Sequence, residues 1–439
     1  MTPRLRLAFV LALSLSCAPF ASAAPQPITF PFTVAFGSST ASERPDAVVR
    51  EELYTTERSH GLEPGKAYKP GEPFHYTIRV PREGNYRVSV RLGDPREAGL
   101  ATIKAELRRL VVADAIATAP GEFKRVSFVV NTRTPRIAAV DTPAIAAGVV
   151  KLKAPRETVQ EAWAWDDAIT LEFCNTRPYV QAITVEPADV PTLFLLGDST
   201  VCDQSREPYN SWGQMLTRFF GPGIAVANHG ESGETYRDSL GRRRLDKIVS
   251  VLRPGEYVMM QFGHNDQKQI AAKKGGPFTT YKDEIRQHVA AIRARGGIPI
   301  LLSPMERRRF TPEGKLELTL TEYATAARDA AKELGVAFID LNALSQRLHL
   351  ALGPERSQKA FATSADGQLD NTHHNNFGSY QLARCIVQAL RDQQHPLAKF
   401  VAADVATYSP DHPDDPEKFA VPASPLVTNE RPLGDEANR

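Results

Sequence analysis

The stretch Thr192-Leu193-Phe194-Leu195-Leu196-Gly197-Asp198-Ser199-Thr200 divides the chain into two textures. Residues 192–196 form a continuous apolar run, as a strand buried on both faces requires. Gly197 permits a tight exit from that strand, so Ser199 would be presented at the edge of a sheet. Downstream, the pattern predicts helices over 211–220, 240–252, 281–294, 320–334 and 377–391. They alternate with strands over 226–228, 257–261, 299–302 and 336–341. Strands and helices in alternation imply an α/β unit with a parallel five-stranded sheet covered on both faces. Ligands of such sheets sit beyond the carboxyl ends of the strands, where the polar segments of this chain fall.

Upstream, residues 26–186 consist of short alternating segments separated by Pro, Gly and Asp. Phe74, Tyr76, Ile78 and Val80, then Tyr86, Val88, Val90 and Leu92, keep a period of two around the turn 81–85, which reads as a β-hairpin. A strand around Phe128 and a closing pair, 169–173 with 180–185, complete a β-sandwich. Residues 187–191 form a short connector containing proline, so the sandwich and the α/β unit of 192–400 should pack closely. Residues 401–439, rich in Pro, Asp and Asn, read as an irregular and partly mobile extension. With 439 residues, two cores are expected rather than one.

The first 23 residues carry Arg4 and Arg6, an apolar run from Leu7 to Leu13, and Ala21-Ser22-Ala23. This order reads as a secretory signal, cleaved near Ala23 to give a secreted or periplasmic protein. The apolar run is well short of the ~20 residues that span a bilayer, and no other segment looks membrane-spanning. The 53 Lys+Arg and 51 Asp+Glu give a net charge of +2, and loss of Arg4 and Arg6 brings it to zero. That balance supplies no global attraction to nucleic acid or anionic lipid. Cys174, Cys202 and Cys385 remain after cleavage, enough for one disulfide and without CxxC spacing. Oligomeric state is not legible.

Ser199 is a candidate nucleophile, and it reads equally well as a cap or turn serine. Asp370, Asn371, Thr372 and His373 precede a helix-like segment. Asp370 is placed to orient His373 as a general base, although the adjacent His374 competes for that role on spacing alone. Donors for a developing oxyanion could come from the N–H of Ser199, the N–H of Gly233 and the side-chain amide of Asn265. Trp163 and Trp165 suit either sugar stacking or core packing. Asp198, Asp203, His264, Asp266, Asp370, His373 and His374 are also metal-ligand types. They lack HExxH or CxxC order, and neither a metal nor another cofactor is expected.

In order along the chain, Gly197-Asp198-Ser199, Gly233, Gly263-His264-Asn265-Asp266 and Asp370-Asn371-Thr372-His373 resemble the four blocks of the SGNH or GDSL hydrolase superfamily. The resemblance implies Ser199 as nucleophile, His373 as base, Asp370 as its partner, and Ser199, Gly233 and Asn265 as the oxyanion hole. The wording Leu196-Gly197-Asp198-Ser199-Thr200, Gln261-Phe262-Gly263-His264-Asn265-Asp266, residues 303–310 and residues 372–378 looks like rhamnogalacturonan acetylesterases. This implies removal of acetyl esters from acetylated plant cell-wall polysaccharide without a metal, with xylan or another glycan as the alternative substrate. Residues 53–62 and the segment ending at Val185 resemble a galactose-binding-like β-sandwich, which would serve as a carbohydrate-binding module. Arg237, His264, Arg307 and His374 are the expected substrate contacts. Glu231 and Glu234, beside Gly233, would oppose an anionic polymer unless Arg237 or Arg307 to Arg309 neutralise them.

Overall fold

The computed structural model describes residues 28–432 except 37–46, 49–51, 56, 66, 67, 113 and 114. The expected leader, with its cleavage site at Ala23, lies outside the described residues. No helix among those described is long and apolar enough to cross a membrane.

Residues 192–400 build around five parallel strands: β1 (Thr192–Gly197), β2 (Ala225–Asn228), β3 (Tyr257–Gln261), β4 (Ile298–Leu302) and β5 (Ala337–Ile339). Their order is β2-β1-β3-β4-β5. Every residue of β1 is buried, as the continuous apolar run requires. Its side chains alternate between two cores because successive Cβ atoms point to opposite faces. Leu193 and Leu195 join Met259, Ile300 and Ile386 on one face; Phe194 and Leu196 join Val258, Ile248 and Ile285 on the other. Helices Trp212–Leu216, Leu341–Arg356 and Asn376–Asp392 supply the first face, while Arg244–Val251, Lys282–Ala294 and Thr321–Leu334 supply the second.

Among the described residues, the N-terminal region contains two larger sheets and a two-stranded one, Arg136–Ile137 with Gly148–Val149. Strands Phe32–Ala35, Gly84–Leu92, Lys124–Thr132 and Val180–Pro187 belong to one, and His60–Leu62, Phe74–Arg79, Gly99–Ala105 and Ala168–Arg177 to the other. One apolar cluster draws on both, joining Val34, Val88, Val90 and Val185 to Ile78, Ile103, Leu171 and Phe173.

Two pairings expected from the sequence are corrected here. Phe74–Arg79 does not pair with Gly84–Leu92: the first lies beside His60–Leu62 and Ala168–Arg177, the second beside Lys124–Thr132 and Val180–Pro187. The proposed closing pair likewise divides between the sheets. A period of two reports which face is buried and carries no information about which strand lies alongside.

The two regions meet closely. Asn85 Nδ2 donates to Val190 O at 3.1 Å and Thr192 Oγ1 at 2.9 Å, fastening the connector. Lys247 Nζ reaches Glu83 at 2.8 Å, and Arg109 Nε reaches Asp203 at 2.6 Å. The final segment has little regular structure but is anchored. Tyr408 and Val421 enter the first core, and Lys104 Nζ donates to Pro422 O at 2.8 Å. Cys174, Cys202 and Cys385 are buried free thiols.

Candidate active site

The carboxyl end of β1 turns sharply. A Cβ on Gly197 would lie 2.3 Å from Val201 Cγ2 and 2.5 Å from Gln261 O, so the close approach to β3 excludes a side chain there. Asp198 Oδ1 accepts from Thr200 N at 3.0 Å and Thr200 Oγ1 at 2.8 Å, closing the turn that displays Ser199.

His373 arrives on a short strand, Leu369–His374, paired with Phe361–Thr363. Its Nε2 lies 2.9 Å from Ser199 Oγ, and its Nδ1 lies 2.9 Å from Asp370 Oδ2. Asp370 Oδ1 accepts from Thr372 N at 2.8 Å and His373 N at 2.9 Å, which locks the acid into a local turn. Arg431 Nε adds a bond of 2.7 Å to Oδ2. Burial opposes ionisation of Asp370. The facing His373 and the bonds from His373 and Arg431 outweigh it and hold the carboxyl well below the usual carboxylate range. Ser199 is 3% exposed and His373 1%.

Geometry separates the two histidines. The His374 ring lies 4.1 Å from that of Phe361, centroid to centroid, and also faces His349. Burial, then the charges of His349 and His373, holds the His374 imidazole well below its ordinary range, hence neutral.

The expected oxyanion donors occupy loops after β1, β2 and β3. Gly233 has φ +76°, a conformation that favours glycine. Asn265 Nδ2 donates to Glu234 O at 3.1 Å, which ties the β3 loop to the β2 loop and leaves a second amide hydrogen. Gln204 Nε2 donates to Ser199 O at 2.8 Å from behind.

Of the expected substrate contacts, Arg307, His374 and His264 are buried and Arg237 is exposed. Arg307 is 2% exposed and donates to Gln267 Oε1, Thr319 Oγ1 and His264 O, so it braces loops from within. His374 is likewise enclosed, 3% exposed, in the aromatic contacts just described. His264 is buried with Nδ1 3.3 Å from Asp198 Oδ2, beside the turn that carries Ser199. Arg237 is exposed and pairs with Glu284 at 2.7 Å. The expected repulsion from Glu231 and Glu234 is also corrected. Both are buried, and both face Lys153; Arg156 also pairs with Glu231, and Arg244 with Glu234. Trp165 is a core residue whose Nε1 donates to Glu157 at 2.9 Å. Among the described residues, no three His, Cys, Asp or Glu side chains group as a metal site; Asp203, for instance, is turned toward Arg109.

Sequence reasoning missed Lys153, Arg156, Gln204 and Arg431. Each reaches the site from a distant segment or from outside the motif blocks.

Residues 195–380 match the GDSL-like Lipase/Acylhydrolase family. A rhamnogalacturonan acetylesterase of Bacillus subtilis, RhgT, is 34% identical over 215 residues, 47% of this chain and 91% of that protein. The rhamnogalacturonan acetylesterase of Emericella nidulans is 23% identical over 218 residues, 45% of this chain and 84% of its own length. The crystal structure of protein YxiM from Bacillus subtilis, 22% identical, overlaps 83% of this chain and 99% of its own with a TM-score of 0.45. By the residues it shares with these hydrolases and the extent of RhgT that it covers, the chain belongs to the GDSL-like lipase/acylhydrolase family.

Proposed function

We propose that this hydrolase is a carbohydrate O-acetylesterase that acts through an acyl-serine intermediate, with pectic rhamnogalacturonan as its polymer. The observation that carries the reading is the continuous chain from Ser199 Oγ through the two His373 nitrogens to Asp370, with both links at 2.9 Å. In the neutral imidazole, Nδ1–H donates to Asp370 and Nε2 accepts from the serine hydroxyl. Ser199 Oγ attacks the acetyl carbonyl while its proton passes to His373 Nε2. The N–H groups of Ser199 and Gly233 and the Asn265 amide receive the negative oxygen. As the tetrahedral species collapses, the C–O bond to the sugar breaks and His373 returns the proton to the departing sugar oxygen. Water, deprotonated by the same imidazole, then releases acetate from Ser199.

The choice of rhamnogalacturonan rests on the relatives' activity, with acetylated xylan as the alternative. Ser199→Ala should abolish acetate release while leaving the melting temperature near wild type. Acetate measured across acetylated rhamnogalacturonan, homogalacturonan and xylan should be greatest with the first. Retained hydrolysis by the variant would overturn the nucleophile assignment, and preference for xylan would overturn the polymer assignment.

The N-terminal region is proposed as a galactose-binding-like β-sandwich, and the protein as exported after cleavage near Ala23. A cleft of about 280 Å³ where that region meets residues 205–206 and 424–426 is lined by Trp163, His75, Glu172 and Arg206. An aromatic ring among polar groups suits a sugar, which favours glycan contact at this junction.

A further inference from the structure

Gly233 is flanked by residues gripped from outside the α/β unit. The segment Lys153 to Trp165, which precedes strand Ala168–Arg177 of the N-terminal region, reaches over the loop after β2. Lys153 Nζ donates to Ser232 O. Arg156 Nη2 donates to Ser232 Oγ at 2.9 Å and to Gln204 Oε1 at 3.2 Å, and Arg156 Nε lies 3.0 Å from Glu231 Oε1. Glu157 accepts from Arg244 Nη1 at 2.9 Å and Nη2 at 2.7 Å, while Arg244 Nε contacts both Glu234 oxygens. Ser232 and Glu234, on either side of the glycine, have no exposed surface.

The contact to Ser232 O matters most. That carbonyl and the Gly233 N–H belong to one peptide unit, and among the described residues every cis peptide bond precedes proline, so this unit is trans. In a trans unit C=O and N–H point in opposite directions across a rigid plane. A glycine without Cβ leaves that plane easy to rotate. A cation held on the oxygen therefore fixes where the N–H points, and by drawing electron density toward the carbonyl it makes that N–H a stronger donor.

We propose that Lys153, with Arg156 holding Ser232 Oγ beside it, is a positioning residue for the oxyanion hole: through Ser232 O it aims the Gly233 N–H, so the N-terminal region completes the catalytic apparatus. This rests on the esterase reading above. The region then has a role in the chemical step that glycan binding alone would not supply.

The test is steady-state hydrolysis of p-nitrophenyl acetate by full-length Lys153→Met and Lys153→Arg, with kcat expressed per active site titrated by a serine-directed phosphonate. Lys153 is partly exposed, and Glu231 and Glu234 keep Arg156 and Arg244, so Lys153→Met retains its fold. Deleting a full oxyanion donor costs about 10²–10³ in kcat; misaiming one should cost about tenfold to hundredfold, with KM within about twofold of wild type. Lys153→Arg, which restores a cationic donor, should recover part of the loss. Wild-type kcat per titrated site in Lys153→Met would overturn the proposal, as would a change confined to KM. Lys124→Met, at the exposed start of strand Lys124–Thr132 in the same region, should leave kcat unchanged. Failure of the esterase reading would show separately, as hydrolysis that survives Ser199→Ala.

Discussion

Asp370 illustrates how a single residue can be half legible. Its place before His373 was readable, because the motif and the turn that carries it are local. Arg431 was not, since it arrives from 61 residues away without any pattern to announce it. Its guanidinium shares the carboxylate that faces His373. Arg431→Ala would remove one of the bonds that fix Asp370, while those from Thr372 N and His373 N remain. The Arg431 side chain is 36% exposed and its charge partly screened, so kcat/KM on p-nitrophenyl acetate should fall by only about twofold to tenfold. Wild-type kcat/KM in the variant would contradict this role.

At the level of elements, β1 was readable because burial on both faces leaves an unmistakable apolar run, whereas the N-terminal strands disclosed their inner faces but not their neighbours. The sequence pattern for 377–391 found the helix Asn376–Asp392 closely, while Leu341–Arg356 was missed; its Gly353, at φ +74°, and Pro354 break the helical pattern near its end. The segment Arg156–Trp165 shows no amphipathic period, since it buries Glu157 and Glu161 along with Ala164 and Trp165 and leaves Val159 exposed. Within it, burial and then the facing Glu231 push Glu161 up to about 9, with Arg156 opposing and Glu157 adding to the rise. A carboxyl whose folded pKa exceeds its unfolded value contributes stability that is complete below the unfolded value and is lost as pH rises to the folded one. Glu161→Gln removes that titration. Its melting temperature should gain on wild type steadily from about pH 5 to pH 9. A constant difference across that window would show that Glu161 does not hold its proton in the folded protein.

Across the whole molecule, the division into a β-rich N-terminal region and an α/β unit was visible in the change of period at Thr192, but the traffic between them was not. Arg244 with Glu157, Lys247 with Glu83 and Lys104 with the C-terminal segment join parts of the chain that carry no shared motif. Such contacts depend on how two surfaces meet, and neither surface taken alone records the other. The most direct measurement is peptide mass spectrometry after exposure to a serine-directed phosphonate, with residual esterase activity followed in parallel. The account predicts one phosphonyl group per chain, located on Ser199, with activity falling in proportion and neither change occurring in His373→Ala on the same timescale. Label on another residue, or full activity remaining after Ser199 is completely modified, would contradict it.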